Sequence, residues 1–195
     1  MSKTSLIATS ALDAAKSARR SHVSIDVLDN VSVVWIAARK GQSGALATRV
    51  NKLYGVTLTS SPRLVTSQGG VSFLSAGPDQ WLAVATMATG LDLATILADQ
   101  LQGLASVADQ TDARTLVCVS GDKARDTLAK GLPIDLHPRA FLEGAVATTH
   151  AAHIGVILWR PIGSDSFIIA CSRSYSDSFW RWLTESAVEH GLVVA

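Results

Sequence analysis

His150-Ala-Ala-His153 is the one closely spaced histidine pair in this 195-residue chain. On a helix, histidines three apart share a face and can grip a metal ion. The flanks Ala147-Thr148-Thr149 and Ile154–Trp159 read instead as strand, where an odd spacing sends the two rings to opposite faces. A hairpin turn between them is the other arrangement these flanks allow, and it defines no site. No glutamate accompanies the pair as in a metallohydrolase helix, so a metal centre is not expected. Asp109, Asp112 and Arg114 form a second cluster, just before an apolar run. A carboxylate near a cation can anchor a small ligand or act as a base; the same spacing also marks a turn entering a strand. Asp135, His137 and Arg139 flank Pro133 and Pro138 in a loop, as candidate partner contacts or as groups that face water.

The glycine-rich stretches Gly41-Gln-Ser-Gly44 and Ser67-Gln-Gly-Gly70 lack the fingerprint of a dinucleotide site and the Gly-Lys-Ser/Thr of a phosphate loop. No Gly-x-Ser-x-Gly supplies a nucleophile elbow. Nucleophile, base and stabiliser are nowhere brought together, so the residues alone indicate no catalytic centre. Near the C-terminus, Trp159, Phe179, Trp180 and Trp182 stand among Arg160, Arg173 and Arg181. Trp180 and Trp182 cannot both face the core from one helix. Trp182 lies nearer the face of Phe179 and Leu183, so Trp180 is expected to point away from it, as a candidate interface anchor.

These residues must be positioned by an alternation of strands and helices. Val31–Ala38 reads as a buried strand, Gly44–Tyr54 as a helix stopped by Gly55, and Arg63–Leu74 as a weaker strand interrupted at Gly69-Gly70. Gly77-Pro-Asp79 makes a turn, Trp81–Ala85 a strand, and Leu91–Leu104 an amphipathic helix with Leu93, Ile96, Leu97 and Leu101 on one face. Thr115–Val119 starts the pattern again. A helix at Asp122–Lys130 carries Ala124, Leu128 and Ala129 inside; strands follow at Gly144–His150, His153–Trp159 and Ser166–Cys171. The last helix is Ser176–Val188, with Ser176 and Ser178 as candidate caps. Gly41 aligns with Gly121 at an offset of 80 residues, and Trp81 with Phe167 and Leu93 with Phe179 at 86. The expected fold is therefore α+β: two repeated βαββα units, over about 25–106 and 107–195, with antiparallel sheets and helices packed on one face. Residues 1–24 are expected to form a loose or partner-bound arm, since they lack the hydrophobic block of a secretory signal and Asp13 counts against an organelle presequence.

Composition narrows the function classes. Lys plus Arg is 17 and Asp plus Glu 16, a net charge of +1, which removes any global electrostatic case for nucleic acid or anionic lipid. Charged residues are 17% of the chain, below the roughly 25% of ordinary domains. Gly144–Trp159 is too short to span a membrane, so the deficit points to a surface covered by another protein, or to a small-residue-rich composition. Cys118 and Cys171 stand far apart in apolar runs, as buried thiols of a cytoplasmic protein do.

The stretch Asp109–Gly131, continuing through Leu132-Pro-Ile-Asp-Leu-His-Pro-Arg-Ala-Phe141 and Gly144, then Arg173-Ser174 and Trp180-Arg-Trp-Leu183, resembles the gamma subunit of heterotetrameric sarcosine oxidase. Upstream, Gly77-Pro-Asp-Gln-Trp-Leu82 is similar to the family's Gly-Pro-Asp-Glu-Trp-Leu. The resemblance covers roughly residues 25–190 and implies a fold like the folate-binding part of glycine-cleavage aminomethyltransferase. It implies a noncatalytic subunit beside alpha, beta and delta subunits, in a complex that demethylates sarcosine oxidatively to glycine and hydrogen peroxide and passes a one-carbon unit to tetrahydrofolate. FAD, FMN, NAD and zinc are implied for the complex and none for this chain. Where relatives often carry Asp-Val-Ser-His, this chain has Asp109-Gln-Thr-Asp112, so no catalytic residue is assigned. Trp180, Asp135, His137 and Arg139 are the candidate partner contacts. A free-standing folate-binding one-carbon transferase of the aminomethyltransferase type, and a small binding module, are the alternative readings.

Overall fold

Val31–Ala38 has almost no polar side, and its environment explains why. Val33 packs toward one apolar layer while Val34 and Ile36, on the other side of the pleat, pack into a second. A strand with two apolar faces must be covered on both, and the whole chain is arranged around that requirement. The computed structural model describes residues 10–12, 17–19, 22–86 and 92–192. The strands are β1 (Ser17–Arg19), β2 (Ser24–Val27), β3 (Val31–Ala38), β4 (Leu64–Thr66), β5 (Ser72–Gly77), β6 (Gln80–Thr86), β7 (Ala105–Asp109), β8 (Arg114–Ser120), β9 (Val146–Ala151), β10 (Ile154–Trp159) and β11 (Phe167–Ser172). The helices are α1 (Ser43–Tyr54), α2 (Leu93–Gln100), α3 (Ala124–Ala129) and α4 (Ser176–Ala187).

Two antiparallel sheets result, ordered β4-β5-β6-β3-β7 and β9-β10-β11-β8-β2-β1. They stack through Val33, Leu74, Leu82, Leu116, Ile157 and Trp159. Outside the first sheet, Leu46 and Val50 of α1 and Leu93 and Leu97 of α2 cover Phe73, Trp81 and Ile36. Outside the second, Leu128 of α3 and Phe179 and Leu183 of α4 cover Val117, Leu158 and Ile169. The order of layers is helix, sheet, sheet, helix. At one side the edge strands meet: the amide of Leu64 donates to Gly144 O (2.8 Å), the amide of Val146 to Pro62 O (3.0 Å) and Thr148 Oγ1 to Ala76 O (3.1 Å).

The α+β architecture of antiparallel sheets with helices on one face of each is observed, with two additions. Each run reads βαβββα rather than βαββα, since three strands separate its helices, and each is preceded by a strand that pairs in the other run's sheet: β2 pairs with β8 and β7 pairs with β3. The helix expected at Leu91–Leu104 stops at Gln100 in a turn over residues 101–104, and strand β7, which the sequence pattern did not predict, follows it. Leu97, Leu101 and Ala105 are all buried, so the apolar spacing runs on through the turn at Gly103 although the conformation changes. Helix α2 begins at Leu93, where the Asp92 carboxylate accepts from the Thr95 amide (3.1 Å) and hydroxyl (2.6 Å). The weak strand expected at Arg63–Leu74 is the hairpin β4–β5. In α3, Ala129 is exposed and Thr127 takes the inner position, its hydroxyl donating to Lys123 O (2.9 Å). Ser176 does not cap α4; its Oγ donates to Arg173 O (2.7 Å) and lies 2.6 Å from Thr115 Oγ1. Within residues 1–24, Leu12 and Val23 are buried and β1 pairs with β2; residues 1–9, 13–16 and 20–21 lie outside the described residues. Among the described residues no helix is long and apolar enough to cross a membrane.

The aligned glycines Gly41 and Gly121 both have positive φ, 76° and 107°. A Cβ at Gly41 would meet open space, whereas one at Gly121 would overlap the carbonyl of His22, just before β2. Gly41→Ala is therefore expected to cost only the left-handed penalty of about 1–2 kcal/mol. Gly121→Ala adds overpacking of about 1–3 kcal/mol and loosens the exchanged strand. Chemical denaturation of the two variants checks the order; equal losses would contradict it.

Candidate functional site

The loop from Leu132 to Gly144 is built by its own side chains. Asp135 Oδ1 accepts from the His137 amide (2.8 Å), and His137 Nδ1 accepts from the Arg139 amide (3.2 Å). The His137 carbonyl in turn accepts from the amides of Ala140 and Phe141. These are the local side-chain-to-backbone bonds that shape a turn. Leu136 and Phe141 point inward and are buried, and the Phe141 ring stacks on Phe167 with centroids 6.2 Å apart. Asp135, His137 and Arg139 are left on the outside, exposed. The loop thus presents a charged outer rim on a fixed backbone.

Beside it, α4 places its tryptophans less asymmetrically than a helical wheel predicts. Trp180 and Trp182 are both half-buried against the core of the second sheet. Trp182 lies 5.7 Å from Phe179 and fills the space over Gly131, where a Cβ would overlap its ring. Trp180 does not stand free in water; only part of its ring is available to a partner.

The other clusters resolve into turns. His150 and His153 flank the β9–β10 hairpin, both exposed, with Ala152 and His153 at positive φ (46° and 72°). That is the two-residue mirror-image turn that suits strand twist, and the Ala152 amide donates to Gly131 O (3.1 Å). Asp109 Oδ1 accepts from the Thr111 amide (2.8 Å), and Thr111 Oγ1 accepts from the Val33 amide (3.1 Å), which ties the β7–β8 crossover to β3. No group of three His, Cys, Asp or Glu side chains suited to a metal occurs among the described residues. Burial pushes the thiols of Cys118 and Cys171 up, the latter to about 11. Next to the inter-sheet layer lies an open cavity of about 840 Å³, lined by apolar groups that include Val31, Leu64, Leu116, Trp159 and Ile168, with Asp29 beside them.

Sequence reading did not find the ion-pair cluster of Arg125, Arg160 and Asp165. These residues come from α3, the end of β10 and the loop before β11, and no local pattern links them. The only signal was Arg160 among the C-terminal arginines. Hydrogen bonding from Arg125 holds the Asp165 carboxyl below its ordinary value, with Arg160 adding to the effect. The hydrogen bond from Lys123 does the same for Asp126, and that from Lys130 for Glu189.

Stacked antiparallel sheets with helices outside define a fold shared with aminomethyltransferases. The glycine cleavage system aminomethyltransferase T of Bartonella henselae superposes with a TM-score of 0.63 at 16% identity, over 84% of this chain and 46% of that one. Residues 39–189 match the sarcosine oxidase, gamma subunit family, and the chain belongs to that family. It is similar to a chain of the heterotetrameric sarcosine oxidase from Corynebacterium sp. U-96, solved with pyrrole 2-carboxylate: TM-score 0.81, 25% identity, 96% of this chain and 98% of that one. Among curated relatives, sarcosine oxidase subunit gamma of Corynebacterium sp. (strain P-1) is 35% identical over 122 residues, 62% of this chain. An aminomethyltransferase of Saccharopolyspora erythraea is 29% identical over 131 residues, 65% of this chain and 36% of its own. The matched stretch spans 58% of the length of the gamma-subunit relative.

The depressed carboxyls set an acid limit. Their pKa values are lower in the folded chain than in the unfolded one, so their stabilisation is complete above the ordinary carboxylate values of 3.8 and 4.5. It is lost as pH falls through the depressed folded values. Urea unfolding followed below about pH 4.5 is expected to show falling stability, with a shallower fall in Asp165→Asn. An unchanged slope in that variant would show that its pairing contributes nothing.

Proposed function

We propose that this chain is the noncatalytic gamma-type subunit of a cytoplasmic heterotetrameric sarcosine oxidase. In this reading the complex demethylates sarcosine oxidatively to glycine and hydrogen peroxide, and the one-carbon unit passes to tetrahydrofolate when present. FAD, FMN, NAD and zinc belong to the alpha, beta and delta subunits. The observation that carries the reading is the end-to-end similarity to a chain of a solved sarcosine oxidase, over 96% of one and 98% of the other. The alternative, a free-standing folate-binding one-carbon transferase, has weaker support, since the aminomethyltransferase superposes with a TM-score of 0.63 at 16% identity against 0.81 at 25% for the sarcosine oxidase chain.

The contact we assign to partner subunits runs from the outer rim of the Asp135–Phe141 loop to the exposed part of Trp180. Arginine and tryptophan are the side chains most often found as energetic anchors in interfaces. Arg139 is exposed, and its guanidinium makes no hydrogen bond among the described residues, so Arg139→Ala should change the stability of the isolated chain by less than about 0.5 kcal/mol. Assembly with co-expressed alpha, beta and delta subunits, measured by co-purification, should nonetheless weaken. Trp180→Ala should weaken assembly as well, with Trp182→Ala as the control that mainly lowers thermal stability. Full assembly by both Arg139→Ala and Trp180→Ala would place the interface elsewhere. Peroxide production from sarcosine by the purified chain alone would overturn the noncatalytic assignment.

A further inference from the structure

Two arginines share one carboxylate oxygen. Asp165 Oδ1 accepts from Arg125 Nη2 at 2.9 Å and from Arg160 Nη2 at 3.1 Å. The side chains of Arg125 and Arg160 are only 23% and 12% exposed, whereas that of Asp165 is 67% exposed. The Nε of each arginine is buried without a hydrogen-bond partner. A guanidinium carries five N–H donors, and a buried donor left unpaired is costly. One carboxylate balances only one of the two positive charges. The pair therefore has charge to spare beside the exposed Asp165, while its unpaired Nε donors lie buried behind it. The Arg125 guanidinium lies over the Phe167 ring at 5.2 Å, and that ring is stacked on Phe141. Arg160 is fixed through its backbone, which exchanges hydrogen bonds with the 142–145 turn: its carbonyl accepts from the Gly144 amide and its amide donates to Ala145 O. Asp165, by contrast, sits exposed on a loop and belongs to no helix or strand.

We propose that Arg125 and Arg160 form an oxyanion site that takes a second carboxylate, beside Asp165 or in its place. Planar guanidinium groups bind carboxylates through paired N–H donors, and two converging groups favour a two-oxygen anion over a halide. The carboxylate can come from a free small acid or from an acidic side chain of another polypeptide. Asp165 acts as the internal occupant that holds the two arginines together while the site is free. The site does not depend on the family reading, because its residues and donors are complete within this chain.

The test is a titration of the ¹⁵N-labelled full chain, observing the arginine Nε–Hε resonances at constant ionic strength. Sodium acetate and a tetraglutamate peptide are the probes, with sodium chloride as the blank. Saturable shifts of the Arg125 and Arg160 signals, absent with chloride, are expected. Affinity should rise about tenfold in Asp165→Asn, where the internal competitor is lost. Saturation by acetate at least as strong per carboxylate as by the peptide identifies a free small acid; tighter peptide binding identifies an acidic chain. Shifts that match chloride in the unsubstituted chain, or shifts in Asp165→Asn no larger than in the unsubstituted chain, overturn the proposal. Should Asp165→Asn fail to fold, the titration of the unsubstituted chain decides alone.

Discussion

The layer between the two sheets is the constraint from which the rest of the architecture follows. Leu74 and Leu82 from one sheet meet Leu116, Ile157 and Trp159 from the other, all nearly inaccessible to water. Burying a large aliphatic side chain is worth roughly 1.5–3 kcal/mol, so the sheets are held by apolar contact across their whole facing surface. Each sheet must then cover its second apolar face, and the helices do so. The loops that join helices to strands are in consequence driven to the ends and edges of the stack, and the candidate contact surfaces lie there.

Strand exchange adds a second tie. Because β2 pairs with β8 and β7 with β3, each sheet contains a strand from the other half of the chain. Neither sheet is complete without the other half, and the crossover at Thr111 is fastened to Val33 on the neighbouring strand. The same arrangement offers an internal reason for the low charge of 17%. Two sheets buried on both faces take up apolar residues that a single-faced sheet would replace by charged ones. Partner coverage therefore need not account for the whole deficit, and the exposed polar rim of the Asp135–Phe141 loop fits a modest contact as well as an extensive one.

Family specificity and local folding coincide in that loop. Asp135 and His137 hold its backbone, Leu136 and Phe141 anchor it, and Phe141 reaches Phe167, over which Arg125 lies. The loop is thus in contact with Arg125 through two stacked rings. The signature residues of the family here do structural service, and Arg139 is the member with its side chain left free for something else.

The sequence by itself determined the local elements whose signals are local. Val31–Ala38 was legible because continuous apolar residues mark a strand buried on both sides, and the α1 helix because its apolar spacing ends at Gly55. The resemblance to the family was carried most strongly by Asp109–Phe141, with the Asp135–Phe141 run its most specific part. Tertiary structure decided what depends on distant partners: the helix expected at Leu91–Leu104 stops at Gln100, and β7 beyond it carries no local signal because pairing with β3 fixes it. Trp180 looked free because a helical wheel cannot include the core that reaches around it. The convergence of Arg125, Arg160 and Asp165 left no local pattern in the sequence beyond Arg160 among the C-terminal arginines, since charges from three separate elements meet only once the chain has brought α3, β10 and the β11 loop together.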